Sequence, residues 1–95
     1  MIIAQLSIAP VGKGTSLHKY VKIVLDVLKK EHITFQPNAM GTVIETEDLE
    51  TLFTVVQKAH NAVLQAGAKR IITELKIDDR RDKKATISSK LASLT

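Results

Sequence analysis

Apolar and polar positions alternate along residues 71–77, so that every second side chain belongs to the same face. The positions on the more apolar face are Ile71, Thr73, Leu75 and Ile77. A period of two is typical of a strand that buries one face and exposes the other. Residues 2–9 alternate in the same way, and Pro10 follows them. We therefore predict a first strand over residues 2–9, ended by Pro10, and a last strand over residues 71–77.

Two further segments repeat their apolar side chains with the spacing of a helix. The first, from about residue 17 to residue 31, has an apolar stripe of Leu17, Tyr20, Val21, Val24, Leu25 and Leu28. The second follows the carboxylates of residues 47, 48 and 50, which suit the positive end of a helix dipole. Its stripe is Leu49, Leu52, Phe53, Val56, His60, Val63 and Leu64, and Gly67 is a natural stop. These patterns predict two amphipathic helices.

Short apolar segments at residues 33–36 and 40–46 predict two more strands, joined by a turn centred on Pro37 and Asn38. The predicted order is β-α-β-β-α-β. Right-handed crossovers place both helices on one face of a four-stranded antiparallel sheet, which is a ferredoxin-like α+β sandwich. We expect one domain over residues 1–95, in which residues 83–95 form a C-terminal extension with a short helix.

Composition limits the classes of protein that remain. Apolar residues make up 44% of the chain and aromatic residues only 3%, so the core must be aliphatic. No run is long and apolar enough to span a membrane, and the N-terminal residues suit a first strand better than a signal peptide. The absence of cysteine excludes disulfides and thiolate metal sites, and it fits a cytoplasmic protein.

The net charge of +4 permits an anionic partner, but lysine and arginine are spread through the chain. The central strands carry no aromatic side chains on which bases would stack, so we expect no nucleic-acid partner. Three scattered histidines without ligand spacing give no metal site. We expect His60, on the apolar stripe of the second helix, to be a buried structural histidine.

The face of the sheet away from the helices is expected to be mixed in character. Ile3, Val43 and Ile72 share this face with polar and charged side chains. Such a face is typical of a subunit interface or a ligand floor, although a plain solvent face is the alternative. Ile87, Leu91 and Leu94 give the tail an apolar edge as well. We therefore expect a homo-oligomer, at least a dimer.

Three groups of residues are candidates for function. The segment 12–16, Gly-Lys-Gly-Thr-Ser, lacks the spacing of a phosphate loop, but its amides suit a polar ligand group as well as an ordinary capped loop. Thr42 and Glu45 lie on one strand with opposite parity, and Glu45 either binds a cation or serves the following helix. The run Asp78, Asp79, Arg80 and Arg81 is either a solvated charge cluster or a structured turn that reaches a neighbouring subunit.

The combined pattern resembles the small thiamine-binding-protein family of the YkoF-like superfamily. The resemblance covers nearly the whole chain, and its strongest part is residues 76–82. The other residues that carry it are Pro10, Gly12, Thr15, Ser16, Leu17, Tyr20, Val21, Met40, Gly41, Thr42, Ile44, Glu45, His60, Gly67, Ala68, Arg70 and Lys90. The chain departs from the family pattern at Thr46, where relatives often have glycine, and at His18, where a small hydroxyl residue is common.

This resemblance implies a ferredoxin-like subunit that assembles as a dimer or a dimer of dimers and binds thiamine or its hydroxymethylpyrimidine part. We expect this binding to be non-catalytic and to need no cofactor. The motif match marks Ser16, Thr42 and Glu45 as ligand residues, and strand parity and closeness to the loop add Ser7. Gly12 and Thr15 of the same loop complete the predicted set. Hydroxyls would bind the aminopyrimidine and Glu45 the cationic thiazolium, while residues 78–81 would organise a subunit junction.

Two other functions remain open. One is an oligomeric regulatory module that binds another small metabolite. A small enzyme of the acylphosphatase type ranks last, because the loop after the first strand offers lysine where that chemistry needs arginine. The sequence shows no nucleophile and base in a catalytic pattern.

Overall fold

A computed structural model describes residues 1–15 and 17–95 of the chain. The elements are β1 (Ile2–Pro10), α1 (His18–Lys30), β2 (Thr34–Asn38), β3 (Gly41–Thr46), α2 (Leu49–Gln65), β4 (Ile71–Asp79) and α3 (Ile87–Ala92). The predicted β-α-β-β-α-β order is confirmed, and α3 is the short C-terminal helix. None of the described helices is long and apolar enough to cross a membrane.

The four strands form one antiparallel sheet in the order β2-β3-β1-β4. Strand β1 pairs with β4 along its whole length, from Ile2 opposite Asp79 to Pro10 opposite Ile71. With β3 it pairs only as far as Leu6, which lies opposite Thr42. The ferredoxin-like α+β fold is therefore confirmed, and one central strand has partners of unequal length on its two sides.

The core lies between α1, α2 and one face of the sheet. It is aliphatic except for Tyr20, as the composition predicts. Its buried members are Ile2, Ala4, Leu6, Ile8, Tyr20, Val24, Leu28, Ile44, Leu52, Val55, Ala59, Val63 and Ala68. The strand residues in this set share one parity, so both helices cover the same face, and the strand register confirms that Ile3, Val43 and Ile72 belong to the other.

The predicted stripe of α2 is partly wrong. Phe53 and Leu64 are 52% and 40% exposed, whereas Val55 and Ala59 are buried. The buried face follows Leu52, Val55, Ala59 and Val63, spaced three or four residues apart. Phe53 is one residue further along the helix, and this turns its side chain about 100° away from the sheet.

The predicted turn at Pro37 and Asn38 is also wrong, because both residues belong to β2 and the turn is formed by Ala39 and Met40. Strand β2 pairs only with β3 and is therefore an edge strand. An edge strand tolerates proline, since the missing N–H need not donate to a neighbour. Pro37 accordingly sits within the ladder, opposite Thr42.

Helix α3 begins on the sheet face opposite α1 and α2. The backbone N–H of Ile87 donates to Oε1 of Glu45 at 2.7 Å, and Nζ of Lys90 donates to Oδ2 of Asp78 at 2.7 Å. Glu45 and Asp78 are both directly opposite Ile3, so the helix spans one row of side chains across the sheet. None of the residues of α3 is buried, but Ala85, just before the helix, is 4% exposed. Polar contacts and this one buried apolar residue therefore hold the tail in place.

Candidate functional site

A cavity of about 260 Å³ lies where β1 continues beyond the end of β3. Helix α1 closes one side of this cavity and the β2–β3 turn closes another. The lining residues are Leu6, Ser7, Ile8, Ala9, Leu17, Val21, Val24, Asn38, Ala39, Met40, Gly41 and Thr42. We call it the β1–α1 cavity. Its lining is mostly apolar with a few polar groups, which is the usual character of a small-molecule site.

The structure brings Ser7 and Thr42 together at the β1–α1 cavity. Ser7 follows Leu6, the residue paired with Thr42, and is half-buried. Thr42 is 6% exposed and belongs to the helix-facing side of the sheet. The two hydroxyl residues therefore reach the cavity from opposite faces of the sheet, at the place where the two strands separate.

Leu17, Val21 and Met40 supply larger apolar side chains to the same cavity. Val21 and Met40 are 44% and 88% exposed, although both are large and apolar. An apolar side chain at the tip of a turn gains little from the core, so nothing in the packing of this chain accounts for Met40. A flat ligand in the cavity would cover these side chains and remove them from water.

Gly12 and Thr15 of the predicted loop lie close to this cavity in the sequence but are not among the residues that line it. Gly12 and Gly14 have positive φ angles of 80° and 85°, which non-glycine residues rarely adopt. Gly12 and Thr15 are exposed. Ser16 lies outside the described residues. Ligand binding by Gly12, Thr15 and Ser16 stays a prediction.

Glu45 lies apart from the other predicted ligand residues. Ile3 is opposite Glu45, and Ser7 is four residues further along β1, so Glu45 and Ser7 are about 14 Å apart along the strand direction at ~3.4 Å per residue. The carboxylate of Glu45 instead accepts a hydrogen bond from the first amide of α3. Glu45 therefore serves a helix, as the sequence allows, but the C-terminal helix rather than α2. Its cation-binding role stays a prediction.

The predicted junction residues form ion pairs within the chain. Arg80 donates two hydrogen bonds to Asp82, Arg81 donates to Asp79, and Asp78 holds Lys90 of α3. The hydrogen bond from Arg81 holds the pKa of Asp79 below its usual value, and the one from Arg80 does the same for Asp82. Asp82 likewise raises the pKa of Arg80. A contact between subunits through residues 78–81 stays a prediction.

A larger cavity of about 570 Å³ lies beside this charged turn. It is lined by Met1, Ile2, Glu47, Asp48, Leu49, Asp79, Arg80, Arg81, Lys83 and Lys84. Size alone would favour it, but its walls are mainly charged side chains that point into water. The β1–α1 cavity has the apolar walls and few polar groups that suit an uncharged aromatic ring, so we take it as the candidate site.

His60 has a structural contact. Its Nδ1 lies 2.7 Å from Oγ1 of Thr73, so this hydrogen bond joins α2 to β4. The ring is half-buried rather than fully buried, because Thr73 lies on the edge strand of the sheet. Within residues 1–15 and 17–95, no three histidine or carboxylate side chains converge as a metal site would require.

Sequence reasoning missed the residues that line the cavity because β1 pairs with β3 over a shorter length than with β4. Met40, Val21 and Ile8 line the cavity. Alternation assigns a residue to a face of a sheet, but it does not show where a neighbouring strand stops. The one available signal was length, since the first predicted strand was longer than the third.

Known proteins are similar to this chain over nearly its whole length. A family model described as thiamine-binding protein matches residues 4–95. The UPF0045 protein of Methanothermobacter thermautotrophicus is 45% identical over 95 residues, which cover 99% of this chain and 96% of that protein. The UPF0045 protein YqgV of Bacillus subtilis is 42% identical over 99 residues, covering 99% of this chain and 94% of that one.

Two solved structures extend the comparison. A hypothetical protein from Methanocaldococcus jannaschii superposes with a TM-score of 0.90 at 43% identity, covering 98% of this chain and 94% of that one. A putative thiamine biosynthesis/salvage protein from Thermotoga maritima superposes with a TM-score of 0.83 at 18% identity, covering 99% and 98%. At that identity, the second likeness shows the fold alone.

Proposed function

This chain belongs to the thiamine-binding protein family, and from that premise we propose that it binds thiamine or its hydroxymethylpyrimidine part without changing it chemically. The observation that carries the proposal is the β1–α1 cavity, where two hydroxyl residues meet a mainly apolar wall. Its volume of about 260 Å³ is at the small end for ligand sites, which suits a single substituted ring. The Thermotoga maritima protein of the same fold is described in terms of thiamine biosynthesis or salvage, which agrees with this ligand class.

In the proposed complex, the aminopyrimidine ring lies in the β1–α1 cavity against Leu17, Val21 and Met40. Ser7 and Thr42 provide hydroxyls that both donate and accept hydrogen bonds, and a pyrimidine with an amino group needs both kinds of partner. The thiazolium of thiamine would extend out of the cavity, since the space is small. Glu45 lies opposite Ile3, four residues before Ser7 on β1, and accepts the N–H of Ile87, so we assign it to the tail rather than to the ligand.

Isothermal titration calorimetry with thiamine and with hydroxymethylpyrimidine tests this proposal. We expect saturable binding of at least one ligand, and we expect Ser7→Ala and Thr42→Val each to weaken it about three- to tenfold, as for a lost hydrogen bond worth about 1 kcal/mol. Ser88→Ala, an exposed serine of α3, is the matched control and should leave Kd unchanged. Absence of binding at millimolar ligand would contradict the proposal.

The proposal also states that the ligand leaves unchanged. Incubation of either compound with the protein, followed by chromatography and mass spectrometry, should return only the starting compound. A new product that appears with the wild-type protein and disappears with Ser7→Ala or Thr42→Val would instead make the chain an enzyme.

The larger cavity supports a second candidate, a regulatory module for an anionic metabolite. Arg80, Arg81, Lys83 and Lys84 line it, and no acidic residue of the described chain forms a salt bridge with either lysine. Native mass spectrometry of freshly purified protein distinguishes the two candidates, because it would show the mass of a retained anion rather than that of a pyrimidine.

Assembly and location complete the proposal. We propose a homo-oligomer, either a dimer or a dimer of dimers, that uses the sheet face opposite α1 and α2 and the tail. This face carries Ile3, Val43 and Ile72, and Ile72 is 50% exposed. Location in the cytoplasm and absence of a cofactor stay predictions from the sequence.

A further inference from the structure

The edge of β1 is open beside the β1–α1 cavity. Every residue of β1 has a partner on β4, but partners on β3 end at Leu6. Residues 7–10 therefore have a neighbouring strand on only one side. In a central strand, the backbone groups on the other side would be left without ladder hydrogen bonds.

Parity shows which backbone groups these are. In an antiparallel strand, the N–H and C=O of one residue point to the same side, and those of the next residue point to the opposite side. Just beyond the strand, the N–H of Val11 donates to the carbonyl oxygen of Arg70 at 2.8 Å, which places odd-numbered residues on the β4 side. The carbonyl oxygen of Leu6 lies beside Gly41, only 3.3 Å from where a Cβ on that glycine would stand. Even-numbered residues therefore point towards β3.

Ile8 is the even-numbered residue that follows the end of the β3 ladder. Its N–H and C=O point to the side where β3 has already turned away, and Ile8 lines the cavity. Neither the ladders nor the turn and loop hydrogen bonds of residues 1–15 and 17–95 give these two groups a partner. Pro10, the next even-numbered residue, has no N–H to offer. One donor and one acceptor of a single residue thus face the cavity.

We propose that the backbone of Ile8 is the specificity element of this cavity, and that it binds a planar heterocycle with an adjacent donor and acceptor on one edge. The ring replaces the missing residue of β3. It donates an amino N–H to the carbonyl of Ile8 and accepts the N–H of Ile8 at the neighbouring ring nitrogen. This mode of recognition uses the same hydrogen bonds by which a peptide adds to a sheet edge.

The walls of the cavity fit the same ligand. In this proposal the ring lies where the sheet would continue beyond the end of β3, in the plane of the sheet. Its two faces are therefore open to side chains on either side of that plane. Leu17 immediately precedes α1, Val21 lies on α1, and Met40 comes from the β2–β3 turn. A thioether packs well against an aromatic ring, which gives the 88% exposed Met40 a role that packing within the chain does not supply.

This inference rests on the proposed function, and amide hydrogen exchange measured by NMR tests it. In the free protein, the amide of Ile8 should exchange at least tenfold faster than those of Leu6 and Ala9, which have ladder partners on β3 and β4. Saturating hydroxymethylpyrimidine should slow the exchange of Ile8 at least tenfold and leave Leu6 and Ala9 unchanged. Slow exchange of Ile8 in the free protein would overturn the inference.

A ligand analogue provides the matched control. Replacement of the ring amino group by an oxo group, with a proton on the adjacent ring nitrogen, exchanges donor for acceptor on an edge of unchanged size. We expect this analogue to bind at least tenfold more weakly by calorimetry. If the parent pyrimidine binds but the analogue binds equally, or Ile8 stays unprotected, only this inference fails. If neither thiamine nor hydroxymethylpyrimidine binds, the proposed function fails as well.

Discussion

Glu45 shows how one side chain on a strand can position a distant segment. Its carboxylate accepts the N–H of Ile87, 42 residues further along the chain. Thr86 and Ser89 complete the same helix start with a capping box, in which each side chain accepts the backbone N–H of the other residue. No residue of α3 is buried, so these polar contacts, the Lys90–Asp78 pair and the buried Ala85 just before the helix hold the tail on the sheet.

We therefore expect Glu45→Ala to release α3 while leaving the rest of the fold intact. Exchange of the Ile87 amide should become about tenfold faster or more, the change expected for loss of a hydrogen bond to a charged group. Trypsin should also cut sooner after Lys83, Lys84 and Lys90. Glu74→Ala, which removes an exposed carboxylate from the same sheet face, is the control. Equal rates for both variants would show that α3 is held by something else.

Asp48 is a residue whose charge state matters for stability. Its side chain caps α2 by accepting the N–H of Thr51 at 2.7 Å, and this hydrogen bond lowers the pKa of the carboxyl below its usual 3.8. Because the pKa is lower in the folded state, the charged carboxylate stabilises the fold at pH values above the unfolded-state pKa. This stabilisation is lost as the pH falls through the folded-state pKa. The carboxyl carbon of Asp48 should titrate below pH 3.8 in an NMR titration. A midpoint at or above 3.8 would contradict the cap.

At the level of secondary structure, α2 shows that the spacing of apolar residues does not fix which face of a helix is buried. A shift of one residue turns the predicted face by about 100°. Nine of its 17 residues are apolar, so more than one stripe fits the pattern. Packing against β1 and α1 chooses the stripe centred on Leu52, Val55, Ala59 and Val63. Phe53, the largest apolar side chain of the helix, stays 52% exposed.

Alanine substitutions on α2 test this assignment. Leu52→Ala should lower the free energy of unfolding by about 2–5 kcal/mol, because Leu52 has no exposed surface and its removal leaves a cavity. Phe53→Ala removes a larger side chain from the surface and should cost less than about 1 kcal/mol. Urea denaturation followed by circular dichroism measures both values. A larger loss of stability in Phe53→Ala than in Leu52→Ala would support the stripe predicted from the sequence.

The lengths of the strands decide the site. Strand β1 has nine residues and β3 has six. Alternation in the sequence predicted both strands and the residues on each face of the sheet. It also placed Ser7 on the first strand and Thr42 on the third. The turn was misplaced, because Pro37 is tolerated at an edge that the sequence alone does not identify. The end of the β3 ladder, and with it the cavity, followed from that turn and could not be predicted.

At the scale of the whole molecule, the sheet face opposite α1 and α2 remains to be covered. Helix α3 spans only the row of Asp78, Ile3 and Glu45. Val43 and Ile72 lie on the uncovered remainder, together with the charged pair Glu74 and Lys76 on β4. A second copy packed on this face would cover Val43 and Ile72, and a homo-oligomer through this face stays a prediction.

Light scattering coupled to size-exclusion chromatography tests this assembly. We expect at least a dimer at micromolar concentration, and we expect Ile72→Lys to shift the mass towards the monomer by placing a charge in the contact. Phe53→Lys, at a position of nearly equal exposure on the helical side, is the matched control and should keep the wild-type mass. A wild-type monomer, or dissociation by both variants alike, would exclude this face as the interface.

The sequence by itself determined the order of elements, the sheet faces of the strands and the aliphatic core, because each depends on a local period of apolar side chains. It also carried the family resemblance, which is spread over many weak matches along the chain. The tertiary structure decided which carboxylate holds the tail, which side of α2 is buried and where β1 loses its partner. These features depend on contacts between segments distant in sequence, and no local period records where one strand ends beside another.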